Sequence, residues 1–212
     1  MTEFEPACRR CPRLAEFLDQ ERRRHPNYHC APVAPFGDEH PRLLIVGLAP
    51  GLHGANASGR PFTGDHAGIL LYQTLHDFGL ASRPHSRSRD DGLELPGCRI
   101  TNAVKCVPPG NKPLPAEIAT CNGYLAAELA ALPADVVILA LGLVAHDAVL
   151  RALGIARSAH RFAHGAEHAL AGGRRMVDSY HCSRYNTQTR RLTTAMFREV
   201  VGRATALAGE GH

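Results

Sequence analysis

Apolar and polar positions along the chain alternate between two rhythms. Four short stretches, 43–48, 99–104, 136–141 and 176–180, are apolar through most of their length. Runs of this kind predict strands buried on both faces. Between and around them, apolar residues recur at intervals of three and four. That spacing predicts helices over 12–24, 66–78, 115–132, 144–153 and 193–207. Pro12 and Pro115 suit a first helical turn, and Gly79 lies just beyond the second helix. Residues 82–97 read as a polar loop, and 156–174 show no clear period.

Strands that alternate with helices predict an α/β fold, with a mostly parallel sheet covered on both faces. Ligands of such sheets bind beyond the carboxyl ends of the strands. The polar sequences gather there: the stretch "GLAPGLHGANASGRPFTGDHAG" (47–68) after the first strand, Asn102 at the second, and His181 after the fourth. No internal repeat or linker interrupts the pattern, so residues 1–212 are expected to form one domain.

Composition narrows the class. With 212 residues, 44% hydrophobic and 21% charged, the chain suits one globular domain with a sizeable core. No apolar stretch approaches the roughly 18 residues of a membrane span. The start, "MTEFEPACRRC", lacks an apolar signal core and reads as untargeted, giving an expectation of a cytoplasmic protein with no membrane partner. The net charge is +4. Arginines cluster at 9, 10 and 13, at 22–24, at 174 and 175, and at 184, 190 and 191, which fits either a polyanion-facing surface or ordinary solvated faces. Seven cysteines without a secretory signal argue for a reducing compartment, with ligation or burial rather than a disulfide framework.

The candidate chemistry begins with the glycine loop. It matches neither dinucleotide nor nucleoside-triphosphate fingerprints and carries a single acid, Asp65. It is either a structural turn or a site whose amides address a negative group. Cys8 and Cys11, with Cys106 and Cys121, supply four thiolates suited to a 4Fe–4S cluster or a zinc ion. Cys30, Cys98 and Cys182 are expected to be buried as small hydrophobes. His146, His160, His164 and His168, with Gly165 among them and no acidic cluster, read as a loop rather than a metal site. His181 in "DSYHCSRYN" gains weight from its expected closeness to the glycine loop and Asn102.

Four motifs in order, "CRRCPRL", "GLAPGLHGANASGRPFTGD", "TNAVKCVPP" and "SYHCSRYNTQTRRLT", make the chain resemble the uracil-DNA glycosylase superfamily. Within it the chain resembles the iron–sulfur-containing family 5, or type B. The resemblance implies a three-layer α/β/α sandwich around a four-stranded parallel sheet. It implies a 4Fe–4S cluster on Cys8, Cys11, Cys106 and Cys121. It also implies a monomeric, monofunctional enzyme, working at the nucleoid of a bacterial or archaeal cell, that starts base excision repair. Such an enzyme flips uracil, or another deaminated base such as hypoxanthine, out of DNA and hydrolyses its bond to the sugar.

On that resemblance, Phe62 stacks on the flipped base and Asn102 pairs with its edge. His181 donates a hydrogen bond to uracil O2, aided by backbone amides at Gly47, Ala49 and Gly51. Asp65, with Asn56, positions the attacking water; the other reading of Asp65 is a cap on the following helix. Ser183, Arg184, Tyr185 and Arg191 face DNA. The sister branch carries an acid shortly after its APG, where Leu52 and His53 stand here. Cys182 replaces the proline of a His-Pro-Ser motif, and Tyr185 stands where glutamine is common. These departures leave open a rival reading, a four-cysteine module that binds damaged DNA without turnover.

Overall fold

The computed structural model describes residues 3–210. Its centre is the strand β2 (Leu43–Gly47), buried at every position, which follows a two-residue strand, β1 (Phe36–Gly37). Alternate residues of β2 face opposite ways. Leu43 and Ile45 pack with Leu71 and Leu75 of α3 (His66–Asp77) and with Phe197 and Val201 of α7 (Thr194–Gly209). Leu44 and Val46 pack with Leu125 and Leu129 of α4 (Pro115–Ala131) and with Ala145 and Val149 of α5 (Leu143–Ala152). An apolar residue at every position is therefore what a strand covered on both faces requires.

The remaining strands are β3 (Cys98–Asn102), β4 (Val137–Leu141), β5 (Glu167–Ala169) and β6 (Arg175–Ser179), and the sheet order is β1-β3-β2-β4-β6-β5. β3, β2, β4 and β6 run parallel, while β1 and β5 pair antiparallel at the two edges. This corrects the expected four-stranded parallel sheet: the sheet has six strands and is mixed. Two- and three-residue edge strands are too short to show a period in the sequence. β5 is exposed, buried and exposed in turn, as a half-solvated edge is.

The five long helices form within two residues of the expected bounds. α1 (Pro12–Arg24) starts on its proline and is basic in its last turn. Two short helices, α2 (Ala55–Ser58) and α6 (Arg184–Gln188), have no counterpart in the periodicity. Both lie in loops at the carboxyl end of the sheet. Because β2 sits between β3 and β4, the chain leaves it toward one neighbour and later returns to the other. A crevice opens where those connections diverge. Among the described residues, no helix is long and apolar enough to cross a membrane.

Candidate functional site

The glycine loop folds back over the strand ends, and its glycines are where side chains would collide. A Cβ at Gly47 would lie 2.4 Å from Asn102 Oδ1 and 2.7 Å from Phe62 Cζ. Phe62 itself takes a left-handed backbone (φ 57°), a conformation that costs a bulky residue on the order of 1–3 kcal/mol. Its surroundings impose it. The Tyr72 hydroxyl donates to Pro61 O at 2.6 Å, and a Cβ at Gly68 would overlap Phe62 O at 1.9 Å. The strained turn brings the Phe62 ring alongside His181, with centroids 6.0 Å apart and planes 23° from parallel.

These two rings border a pocket of about 450 Å³ beyond β2, β3 and β4, which Ala49, Gly51, Asp65, Asn102, Ser183 and Arg184 also line. Asn102 is buried, and among the described residues its Oδ1 has no hydrogen-bond partner; neither has His181 Nδ1. Buried polar atoms are almost always paired, so three orphans on residues lining one pocket, His66 Nδ1 being the third, mark it as a site for a polar ligand. Burial pushes His181 down to about 4, which leaves its ring neutral at pH 7. A neutral imidazole still donates through one nitrogen.

Asp65 occupies the N-cap position of α3, yet its side chain makes no capping bond to that helix. Its Oδ2 instead accepts from Ala55 N at 3.0 Å, across the loop at the start of α2. Gly51 and Gly54 make room for it, since a Cβ at either would come within about 2 Å of Asp65 Oδ1. Burial raises the carboxyl above its usual range, and the Ala55 and Gly51 amides partly offset that. Asn56 is not among the residues lining the pocket, although its backbone amide donates to Gly51 O at 3.0 Å. It is buried, with Nδ2 donating to Leu52 O at 3.4 Å and to Cys30 Sγ at 3.5 Å.

The segment after β6 is tied to the site. Asn186 Nδ2 donates to His181 O at 2.8 Å, and the Ser183 hydroxyl caps α6. Cys182 is buried in the main core, with its thiol pushed up to about 12 by that burial. Tyr185 is 71% exposed beside the pocket's Arg184. Arg191 stacks its guanidinium 4.6 Å from the Tyr180 ring centroid.

The metal expectation is corrected. Cys8, Cys11, Cys106 and Cys121 pack in one neighbourhood with Leu14 and Tyr124. No three of their sulfurs lie within 4.8 Å of one another. Burial raises the thiols of Cys11, Cys121 and Cys106, the last to about 12. Cysteine-based coordination of a 4Fe–4S cluster is thus not evident among the described residues. Spacing brought the four cysteines into one region.

The donors that do converge are His146 of α5, His168 of β5 and Asp178 of β6, all buried. Asp178 Oδ1 accepts from His146 Nδ1 and Oδ2 from His168 Nε2, each at 2.8 Å. His146 Nε2 lies 3.1 Å from His160 O. His146 and His168 therefore belong to a buried cluster, while His164 lies in a turn, stacked on Tyr180; the sequence pattern gave no role to Asp178. Its signal was an acid in the interior of an otherwise buried strand.

Comparison with known proteins adds to the geometry. Residues 34–204 match the uracil DNA glycosylase superfamily. The type-5 uracil-DNA glycosylase of Thermus thermophilus is 50% identical over 96% of this chain and 94% of its own length. That of Mycobacterium leprae is 45% identical over 95% of this chain and 92% of its own. The type-4 uracil-DNA glycosylase of Thermotoga maritima is 31% identical over 67% of this chain and 65% of its own.

Proposed function

This chain belongs to the uracil-DNA glycosylase superfamily, and from that premise we propose that its pocket receives a uracil extruded from DNA and hydrolyses the bond between base and sugar. The observation that carries the reading is the pair of unpartnered atoms, Asn102 Oδ1 and His181 Nδ1, at a pocket walled by Phe62 and Asp65. DNA is the partner. Hypoxanthine and other deaminated bases are further substrates, and the product is an abasic site that enters base excision repair. The enzyme acts as a monomer wherever the chromosome lies.

The pyrimidine ring lies against Phe62. The Asn102 amide accepts from N3–H and donates to O4, an edge that cytosine does not offer. As the bond from N1 to C1′ breaks, its electron pair moves to the base and the sugar becomes cationic. His181, neutral at working pH, donates to O2 where negative charge gathers, and the amide at Ala49 adds to that stabilisation. On the sugar side, the Asp65 carboxylate orients a water toward C1′ and accepts its proton as the new C–O bond forms. Its charge also favours the cationic sugar. Asn56, held by Leu52 and Cys30, keeps the Asp65-bearing loop in place.

The deciding experiment incubates pure protein with oligonucleotides carrying uracil, hypoxanthine or xanthine and then treats them with alkali. Strand breaks at uracil are expected. Tight binding without breaks would replace the enzyme with a damage-binding module.

A further inference from the structure

The stretch 82–92, "SRPHSRSRDDG", reads in the sequence only as a polar loop, but the structure shows a built one. Its ends are pinned by Ser82, whose amide donates to Glu94 O and whose Oγ accepts from Glu94 N, each at 2.9 Å. Its interior is organised by Arg60, a buried residue two positions before Phe62. Arg60 Nε donates to Thr63 Oγ1 at 2.9 Å, Nη1 to Arg89 O at 3.2 Å, and Nη2 to Asp91 Oδ2 at 2.8 Å and to Ser86 Oγ. Asp91 in turn accepts from the amides of Arg87 and Leu93. The loop is therefore anchored to the segment that carries Phe62 and Asp65.

That anchoring uses up the charges of Arg60 and Asp91. Arg83, His85, Arg87 and Arg89 remain exposed, and none of their side chains pairs with a carboxylate among the described residues. The loop's other acid, Asp90, is exposed between them. Pro84, His85 and Ser86 wall a groove of about 850 Å³, whose other side carries Ile69 of α3 and Arg184 and Gln188 of α6. The groove and the base pocket share Phe62, Asp65, His66 and Arg184, so the two are continuous. Ile69 is 69% exposed at the groove's edge.

We propose that loop 82–92 is a second phosphate-binding rail facing Arg184, and that the groove between them holds the DNA strand on one side of the extruded nucleotide. A nucleotide in the base pocket stays covalently linked to its neighbours, so the strand must leave by a path continuous with that pocket. Arg184 lines one bank, and the exposed Arg83, Arg87 and Arg89 flank the Pro84–Ser86 wall of the other, so cations on both sides match its phosphates, while Ile69 and Pro84 offer apolar surface to its bases. The proposal rests on the glycosylase reading for the identity of the strand.

The test compares wild type with R83A/R87A/R89A and with the charge-keeping R83K/R87K/R89K. Two quantities are measured: the salt dependence of binding to a uracil-free oligonucleotide, and the single-turnover excision rate at saturating uracil DNA. Every phosphate that is no longer neutralised flattens the slope of log K against log salt by about 0.9 on duplex and about 0.7 on single strands. The alanine variant is expected to leave roughly two to three phosphates without their cation, while the lysine variant keeps most of the slope and the saturated rate is unchanged in both. Shortening the DNA flank on one side should weaken wild type and leave the alanine variant indifferent. Wild-type slope and affinity in the alanine variant, with an unchanged melting temperature, would overturn the rail. Wild-type protein that binds as expected but excises nothing would instead overturn the glycosylase reading and leave the rail standing.

Discussion

Asp65 and His181 reach their working states by the same means, burial, with opposite results. Burial disfavours the charged form of each, which raises the carboxyl and lowers the imidazole. Asp65 must be ionised to take a proton, so activity should be lost as pH falls through its raised pKa, at a pH above the usual carboxylate value of about 3.9. His181 is already neutral above about 4 and adds no limb at higher pH. A pH profile of single-turnover rate checks both statements. Asp65→Asn keeps an acceptor for Ala55 N and removes the buried charge. It should fold with equal or greater stability, bind uracil DNA, and lose about 100–10,000-fold in rate. Near wild-type turnover in that variant would leave Asp65 a structural residue. His181→Ala should cost about 100–1,000-fold, and less on bases that are better leaving groups. Asn102→Asp offers two acceptors and should shift preference toward cytosine, read by competition between uracil and cytosine substrates.

At the scale of elements, the site is made by two connections that borrow rigidity from the sheet. The loop from β2 to α3 is held by Arg60, whose side chain is 4% exposed and pairs with Asp91 at 13%. Removing one partner of a buried pair strands the other, so Arg60→Ala should cost about 3–5 kcal/mol, seen as a lower urea midpoint at unchanged m-value. It should also weaken DNA binding, because loop 82–92 loses its anchor. The connection from β6 to α7 depends on Asn186 gripping His181 O. Asn186→Ala should lower the excision rate with little change in melting temperature, because it frees the imidazole without opening the core. A melting temperature that falls along with the rate would give Asn186 a general structural role instead.

Across the whole molecule, the His146–Asp178–His168 cluster fastens α5 and β5 to β6, the strand that leads to His181. Asp178 is fully buried and both of its carboxylate oxygens are used, so Asp178→Asn offers one imidazole an NH₂ in place of an acceptor. A loss of about 3–5 kcal/mol in unfolding free energy is expected from such a disruption, measured by denaturant titration. Hydrogen exchange should then show β5 opening ahead of the central strands, because it is a three-residue edge. An exchange pattern spread evenly over the sheet would mean the cluster does not fasten that edge.

The four central strands and five long helices were legible because each carries its own signal: an unbroken apolar run in β2 and β4, a shorter apolar stretch in β3 and β6, and a three-to-four period in the helices. The motifs likewise placed Phe62, Asp65, Asn102 and His181 beyond strand ends, and those four do meet at one pocket. The edge strands β1 and β5 carried no such signal, being too short for a period and fixed only by pairing with a formed sheet. The partners of Asp65 were equally hidden: the sequence offers it the amides of α3, and the fold gives it Ala55. Spacing suggested a ligand set at the cysteines and a loop at the histidines; among the described residues no cysteine-based coordination is evident, and His146 and His168 join Asp178 instead. Whether side chains converge depends on distances between elements far apart in the chain. Those distances are set by how helices and sheet pack, which no local pattern records.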